Sequence, residues 1–218
     1  MAEGGCTGRP AVADVLRRSG DPAVLRTLDA GPAAAAIWTR ALPAGLSAWL
    51  DGLVFAMPRQ GRWLLPCETP VAPAVRQWMA AWLAGIAEPP GGWLRDLEHL
   101  LCLAREAFDG GALRVRLDVV SNDGCRLFHV DHLRVRWICT YRGPGTQYVP
   151  DAAVDRSRLG TGTNAAILAP DEVRSLQAGW VAALRGAGFP GAEDRAIVHR
   201  SPPAEPAAPR IVLVIDPS

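Results

Sequence analysis

Two periodicities divide the chain. From Pro10 to about Phe108 the apolar positions recur at helical spacing. Asp21-Pro22 reads as an N-cap with proline at the first helical position, leading into Ala23-Val24-Leu25. Thr69-Pro70 opens a second such segment, which carries Val75, Trp78, Met79 and Trp82. Trp93, Leu94, Leu97, Leu100, Leu101 and Ala104 form a third stripe, ended by Asp109-Gly110-Gly111. Tryptophans at this spacing predict helix-to-helix core, because large aromatics contribute most to burial.

After Gly111 the period changes to two. Leu113, Val115, Leu117 and Val119 alternate with Arg114, Arg116 and Asp118, as a half-buried strand requires. Ser121-Asn122-Asp123-Gly124 reads as a turn. A second strand follows, with Leu133, Val135, Trp137, Cys139 and Tyr141 on one face, until Gly143-Pro144-Gly145 breaks it. Ile211 to Ile215 is continuously apolar and β-branched, which predicts a strand buried on both faces. Between Tyr148 and Val198 few strands are evident, and Gly179 to Arg185 is ambiguous between helix and strand. Pro202 to Pro209 is a short Pro/Ala loop. The expectation is an α+β protein: a disordered stretch over 1–9, a helical region over 10–110, and a strand-rich region over 111–218 on which the helices pack.

Composition removes several classes of function. With 49% hydrophobic residues in 218, the chain has ample core, and disorder as the dominant state is excluded. Its 23 basic residues, all of them arginine, stand against 22 acidic ones, so no basic excess points to nucleic acid. The longest apolar stretch, Ala41 to Met57, contains Pro43 and Asp51, so no membrane span is expected. Met-Ala-Glu-Gly-Gly-Cys lacks a basic region followed by an apolar one, so no secretory signal is expected either. Five cysteines without a C-x-x-C pair read as reduced thiols in a cytoplasmic protein.

The candidate chemistry lies between Cys125 and Arg210. In Phe128-His129-Val130-Asp131 an extended backbone puts His129 and Asp131 on the same side, within reach of one metal ion. His199 follows the short apolar run Ala196-Ile197-Val198. Arg210, eleven positions further on, opens the buried strand, where a guanidinium is costly unless an acid or a ligand carboxylate pairs it. Two histidines and one carboxylate leave open metal positions, as in non-haem Fe(II) oxygenases. A nearby arginine suits the distal carboxylate of 2-oxoglutarate. Cys125, His129, Asp131 or His132, and His199 are also a possible zinc set. His132 and Arg136 are further candidates for groups that position the ligands.

His129-x-Asp131, Arg136, Thr140-Tyr141, His199 and Arg210 together resemble the prolyl-hydroxylase-like 2-oxoglutarate/Fe(II) dioxygenases. More narrowly, Cys125-x-x-Phe128-His129-x-Asp131, Thr140-Tyr141-x-Gly143-Pro144-Gly145-Thr146 and Val198-His199-Arg200-Ser201-Pro202-Pro203 are similar to the bacterial domain-of-unknown-function family 1826. The superfamily resemblance covers about the last hundred residues and implies a double-stranded β-helix, a jelly-roll-type barrel with the metal at its mouth. It implies His129, Asp131 and His199 as iron ligands and Arg210, with Thr140 and Tyr141, as the cosubstrate site.

The sequence thus leads to an Fe(II)- and 2-oxoglutarate-dependent oxygenase acting on a small molecule or a protein side chain, with neither nucleic acid nor membrane as partner. A non-catalytic zinc- or iron-binding module built on the same residues is the other reading.

Overall fold

The computed structural model describes residues 16–55, 59–122, 124–191, 195–203, 205 and 208–218. The expectation of disorder over 1–9, Cys6, Asp123 of the Ser121–Gly124 turn and part of the Pro202–Pro209 loop lie outside them. Among the described residues, ten strands and three α-helices make a mixed α+β fold with two sheets: β1 (Leu16–Ser19), β2 (Ala35–Trp38), α1 (Leu46–Asp51), β3 (Gln60–Leu65), α2 (Val71–Trp82), α3 (Gly91–Ala107), β4 (Leu113–Val120), β5 (Val135–Arg142), β6 (Gln147–Val149), β7 (Arg174–Ser175), β8 (Val181–Arg185), β9 (Val198–Arg200) and β10 (Arg210–Pro217). The large sheet runs β1-β2-β8-β5-β10-β4-β3, and the small one β7-β6-β9. Among the described residues, no helix is long and apolar enough to cross a membrane.

The two faces of the large sheet follow from the period-two pattern. Odd-numbered Leu113, Val115, Leu117 and Val119 of β4, Val135, Trp137, Cys139 and Tyr141 of β5, and Ile211, Leu213 and Ile215 of β10 share one core with α2 and α3. Even-numbered Ile138, Val212 and Val214 belong to a second core, with Tyr148 of the small sheet. On that same side the alternation places Arg116 and Asp118 of β4, Arg136 and Thr140 of β5, and Arg210 and Asp216 of β10. One face is therefore apolar and covered by helices, and the other is partly charged.

The apolar stripe of α3 buries Trp93, Leu97, Leu100, Leu101 and Ala104 as expected, and adds Asp96. Trp93 contacts Trp49, Trp82 and Tyr141 with centroids 5.6–5.7 Å apart, so these tryptophans are core. Asp21 caps a single 3-10 turn, Pro22–Arg26, its carboxylate accepting from the Ala23 amide at 2.8 Å. At α2 the cap position is Pro70, not Thr69, and no side chain caps it.

The helical expectation over 10–110 fails at three places, because β1, β2 and β3 lie there. Ala35-Ala36-Ile37 has the alanine content of a helix, but its small side chains are buried on both faces of the sheet. In β3, Gly61 and Leu65 are buried while Gln60, Arg62 and Leu64 are exposed, an edge-strand alternation. Within the ambiguous segment 179–185, Val181–Arg185 forms β8, inside the sheet and fully buried.

Candidate metal and oxyanion site

The two candidate histidines are brought together by backbone pairing. His129 and His199 face each other as an antiparallel bridge, each amide donating to the other's carbonyl at 3.0 Å. Their rings consequently lie 4.6 Å apart, and Tyr148 of β6 pairs with His199 on the other side. Phe128, buried beside His129, fixes that segment, and its amide donates to Asn164 Oδ1 at 2.9 Å. Asp131 then projects to the same point as His129, two positions along.

Each ring is oriented by its own backbone. His129 Nδ1 lies 2.9 Å from the Leu127 carbonyl, and His199 Nδ1 lies 3.1 Å from that of Ile197. A carbonyl oxygen only accepts, so both Nδ1 atoms carry a proton, and in the neutral rings the Nε2 lone pairs are free for a metal. His129 Nε2 stands 3.9 Å from Asp131 Oδ1, and His199 Nε2 stands 3.4 Å from Asp131 Oδ2. One donor atom from each of the three residues falls within 4.8 Å of the others.

Electrostatics favour the metal-binding protonation states. Burial and the neighbouring His199 both lower the His129 pKa below its ordinary value, which keeps that imidazole neutral. Burial opposes ionisation of Asp131, but His199, Arg136 and His129 outweigh it and hold its pKa below the usual carboxylate range. Arg136 Nη1 donates to Asp131 Oδ1 at 2.7 Å, and its Nε and Nη2 grip Asp216 at 2.8 Å each. Asp131 Oδ2 remains buried without a hydrogen bond. An ionised oxygen left in that condition is costly, and a cation between it and the two Nε2 atoms would relieve it. The donor set therefore fits a divalent metal.

Arg210 has no acid partner among the described residues. Its Nε donates to the Pro144 carbonyl at 2.7 Å, and Nη2 lies 3.4 Å from Thr140 Oγ1. The side chain is almost wholly buried, and burial lowers its pKa to about 10. The Gly143-Pro144-Gly145 turn is shaped around it. Gly143 has φ 81°, and a Cβ there would sit 3.0 Å from Arg210 Cγ. His129, Arg136, His199, Arg210 and Thr146 line one cavity of about 300 Å³, walled also by Ile138, Val212 and Val214.

Not every candidate arrives there. Tyr141 follows Thr140 on a strand and so points to the opposite face, where its hydroxyl donates to Asp96 Oδ2 at 2.7 Å. His132 is exposed, in the bend that follows Asp131. Cys125 is exposed at the cavity lining, and the His129/Asp131/His199 cluster includes no cysteine. Among the described residues, neither Cys125 nor His132 joins that cluster. Asp216 and Arg116 went unnoticed in the sequence. The alternation of β10 from Arg210 and the polar face of β4 were the available signs.

Two sheets and a helical layer around a His/Asp/His cluster with a buried arginine define a mixed α+β protein with a candidate metal centre. The chain belongs to the family "Protein of unknown function (DUF1826)", which matches residues 19–216. No curated protein sequence matches it. Similar solved structures include dioxygenase for auxin oxidation 1 from Arabidopsis thaliana in complex with 2-oxoglutarate, 13% identical, covering 80% of this chain and 71% of that one, with a TM-score of 0.41. The rice dioxygenase for auxin oxidation is 13% identical over 92% of this chain and 81% of that one, with a TM-score of 0.48. A Pseudomonas putida prolyl-4-hydroxylase is 12% identical over 72% and 92%, with a TM-score of 0.34.

Proposed function

We propose that this protein is a non-haem Fe(II)- and 2-oxoglutarate-dependent oxygenase, with its two sheets forming the walls of a double-stranded β-helix. The observation that carries this reading is a pair of unmet groups at one cavity: Asp131 Oδ2, without a hydrogen bond beside the cavity-lining His129 and His199, and Arg210 on the cavity wall, without an acid among the described residues. Metal storage alone explains the first and gives no use for the second.

His129, Asp131 and His199 would hold the metal through the two Nε2 atoms and the carboxylate, a set that leaves positions for exogenous ligands. When bound, Fe(II) and 2-oxoglutarate would supply the oxygen-activating chemistry. Arg136 fixes the Asp131 carboxylate through Oδ1, so that Oδ2 is the oxygen left for the metal. Arg210, braced by Pro144 and Thr140, presents a guanidinium suited to a carboxylate in a charge-assisted pair. Ile138, Val212 and Val214 keep the wall behind them apolar.

The test is aerobic incubation of the Fe(II)-loaded protein with 2-oxoglutarate, with succinate as the readout. Succinate should form at a slow uncoupled rate, and Arg210→Ala should raise the 2-oxoglutarate concentration needed by at least tenfold while Fe(II) stoichiometry is retained. Stoichiometric metal binding without succinate or 2-oxoglutarate binding would instead make this a metal-binding module.

A further inference from the structure

The β3–β4 wall of the same cavity carries charge that neither the His/Asp/His cluster nor Arg210 uses. Arg62 of β3 pairs with Asp118 of β4. Arg116, its neighbour in register, is placed differently. It is half-buried, and the acid nearest it, Asp216, lies 3.6 Å away with both oxygens already accepting from Arg136. Among the described residues the Arg116 guanidinium makes no hydrogen bond, although it lines the cavity. Burial and the nearby Arg136 both lower its pKa, the sign of a crowded cation.

Placement separates Arg116 from Arg210. Arg116 pairs with Val214 on β10 and Arg210 opens the same strand, so about 13 Å of strand lies between the two positions. Through Asp216 and Arg136, Arg116 stands on the Asp131 side of the cavity. Charge balance points the same way. Five arginines line the cavity, the fifth being Arg200, while Asp118, Asp131 and Asp216 are the acids in or beside it. That leaves two positive charges in excess before a metal cation is added. A dianionic cosubstrate would offset only the metal.

We propose that the prime substrate is a small organic oxyanion, a carboxylate or a phosphate ester, whose charged group is bound by Arg116. Its role as a substrate rests on the oxygenase reading; the oxyanion site does not. A cavity of about 300 Å³ that must also hold the cosubstrate limits the second ligand to small-molecule size.

The test is calorimetric titration of the full chain under nitrogen, with Fe(II) and saturating 2-oxoglutarate and again with neither. The probes are benzoate and phenyl phosphate, with benzamide as the neutral control. At least one anion should bind the loaded protein, and benzamide at least tenfold more weakly. Arg116→Gln should lose at least tenfold in anion affinity and keep 2-oxoglutarate affinity within twofold. Arg116→Lys, which retains the charge, should fall between Arg116→Gln and the unmutated protein and guards against misfolding as the cause. Arg210→Ala should show the reverse selectivity. The proposal is overturned if neither anion binds, if benzamide binds as well as benzoate, or if Arg116→Gln weakens 2-oxoglutarate as much as Arg210→Ala does. If Fe(II) and 2-oxoglutarate fail to bind but Arg116-dependent anion binding persists, the oxygenase reading falls and the oxyanion site stands.

Discussion

Each face of the large sheet buries an aspartate and an arginine, and the two sets are completed differently. On the helix side, Arg40 donates to both oxygens of Asp96, and the Tyr141 hydroxyl adds a third bond. Single N–H groups remain over, Arg40 Nε and Trp93 Nε1, but no carboxylate oxygen does. On the cavity side, Asp131 keeps a buried oxygen without a bond, and Arg210 has a carbonyl and a hydroxyl but no acid. Burial works to lower the pKa of both arginines. Asp96 more than offsets it at Arg40, whose pKa is raised, while Arg210 is pulled down to about 10. An unmet buried polar group costs about 1–3 kcal/mol, more when charged. Asp96 is thus completed within the chain, whereas Asp131 and Arg210 keep capacity that, in the proposed function, a metal and a carboxylate would complete.

Substitutions can break this contrast. The largest effect should come from Asp96→Ala, which strands Arg40: roughly 3–5 kcal/mol of stability lost in urea denaturation, with Fe(II) stoichiometry of the folded fraction unchanged. Asp131→Ala should do the opposite, leaving stability close to that of the unmutated protein while metal affinity falls on the order of 100-fold by equilibrium dialysis. Arg210→Met should change stability by less than about 1 kcal/mol, or raise it, because no counter-charge is stranded. Arg40→Met in the same assay should cost roughly 3 kcal/mol. The smallest effect concerns thiols. Cys139 is buried and its pKa is pushed up to about 12, so it should resist alkylation until the protein unfolds. Exposed Cys125 should alkylate readily, and about threefold more slowly once the cavity is loaded with Fe(II) and 2-oxoglutarate. Equal protection of Cys139 on loading would blur the distinction between the faces.

How much of this was legible in the sequence varied with the range of the interaction. β4, β5 and β10 announced themselves, because their alternation or β-branched run is set by the sheet faces that each strand itself covers. Helix α3 was legible for the same reason, its stripe being local. β2 and β8 were not, since Ala35-Ala36 and Ala182-Ala183 are small for reasons of packing inside a sheet while their local propensity is helical. At the candidate site, His129, Asp131, His199 and Arg210 carry motif spacing, and the fold brings the first three together and sets Arg210 on the adjoining cavity. Tyr141 was assigned to the cavity although the alternation that puts Cys139 on the helix face puts Tyr141 there too. The placement of Asp216, Arg116 and the Pro144 carbonyl beside the candidate site is not legible, because it arises from register between β10, β4 and β5 and from the Gly143 turn, which no local pattern encodes.

A metal and a 2-oxo acid are what would complete the leftover charges of the cavity face. Anaerobic titration of the full chain with Fe(II) and 2-oxoglutarate, followed by visible absorption, tests that most directly. The weak charge-transfer band of the chelate should appear at one equivalent of Fe(II), be absent in Asp131→Ala, and need at least tenfold more 2-oxoglutarate in Arg210→Ala. No band in the unmutated protein at saturating 2-oxoglutarate, or an undiminished band in Asp131→Ala, would contradict it.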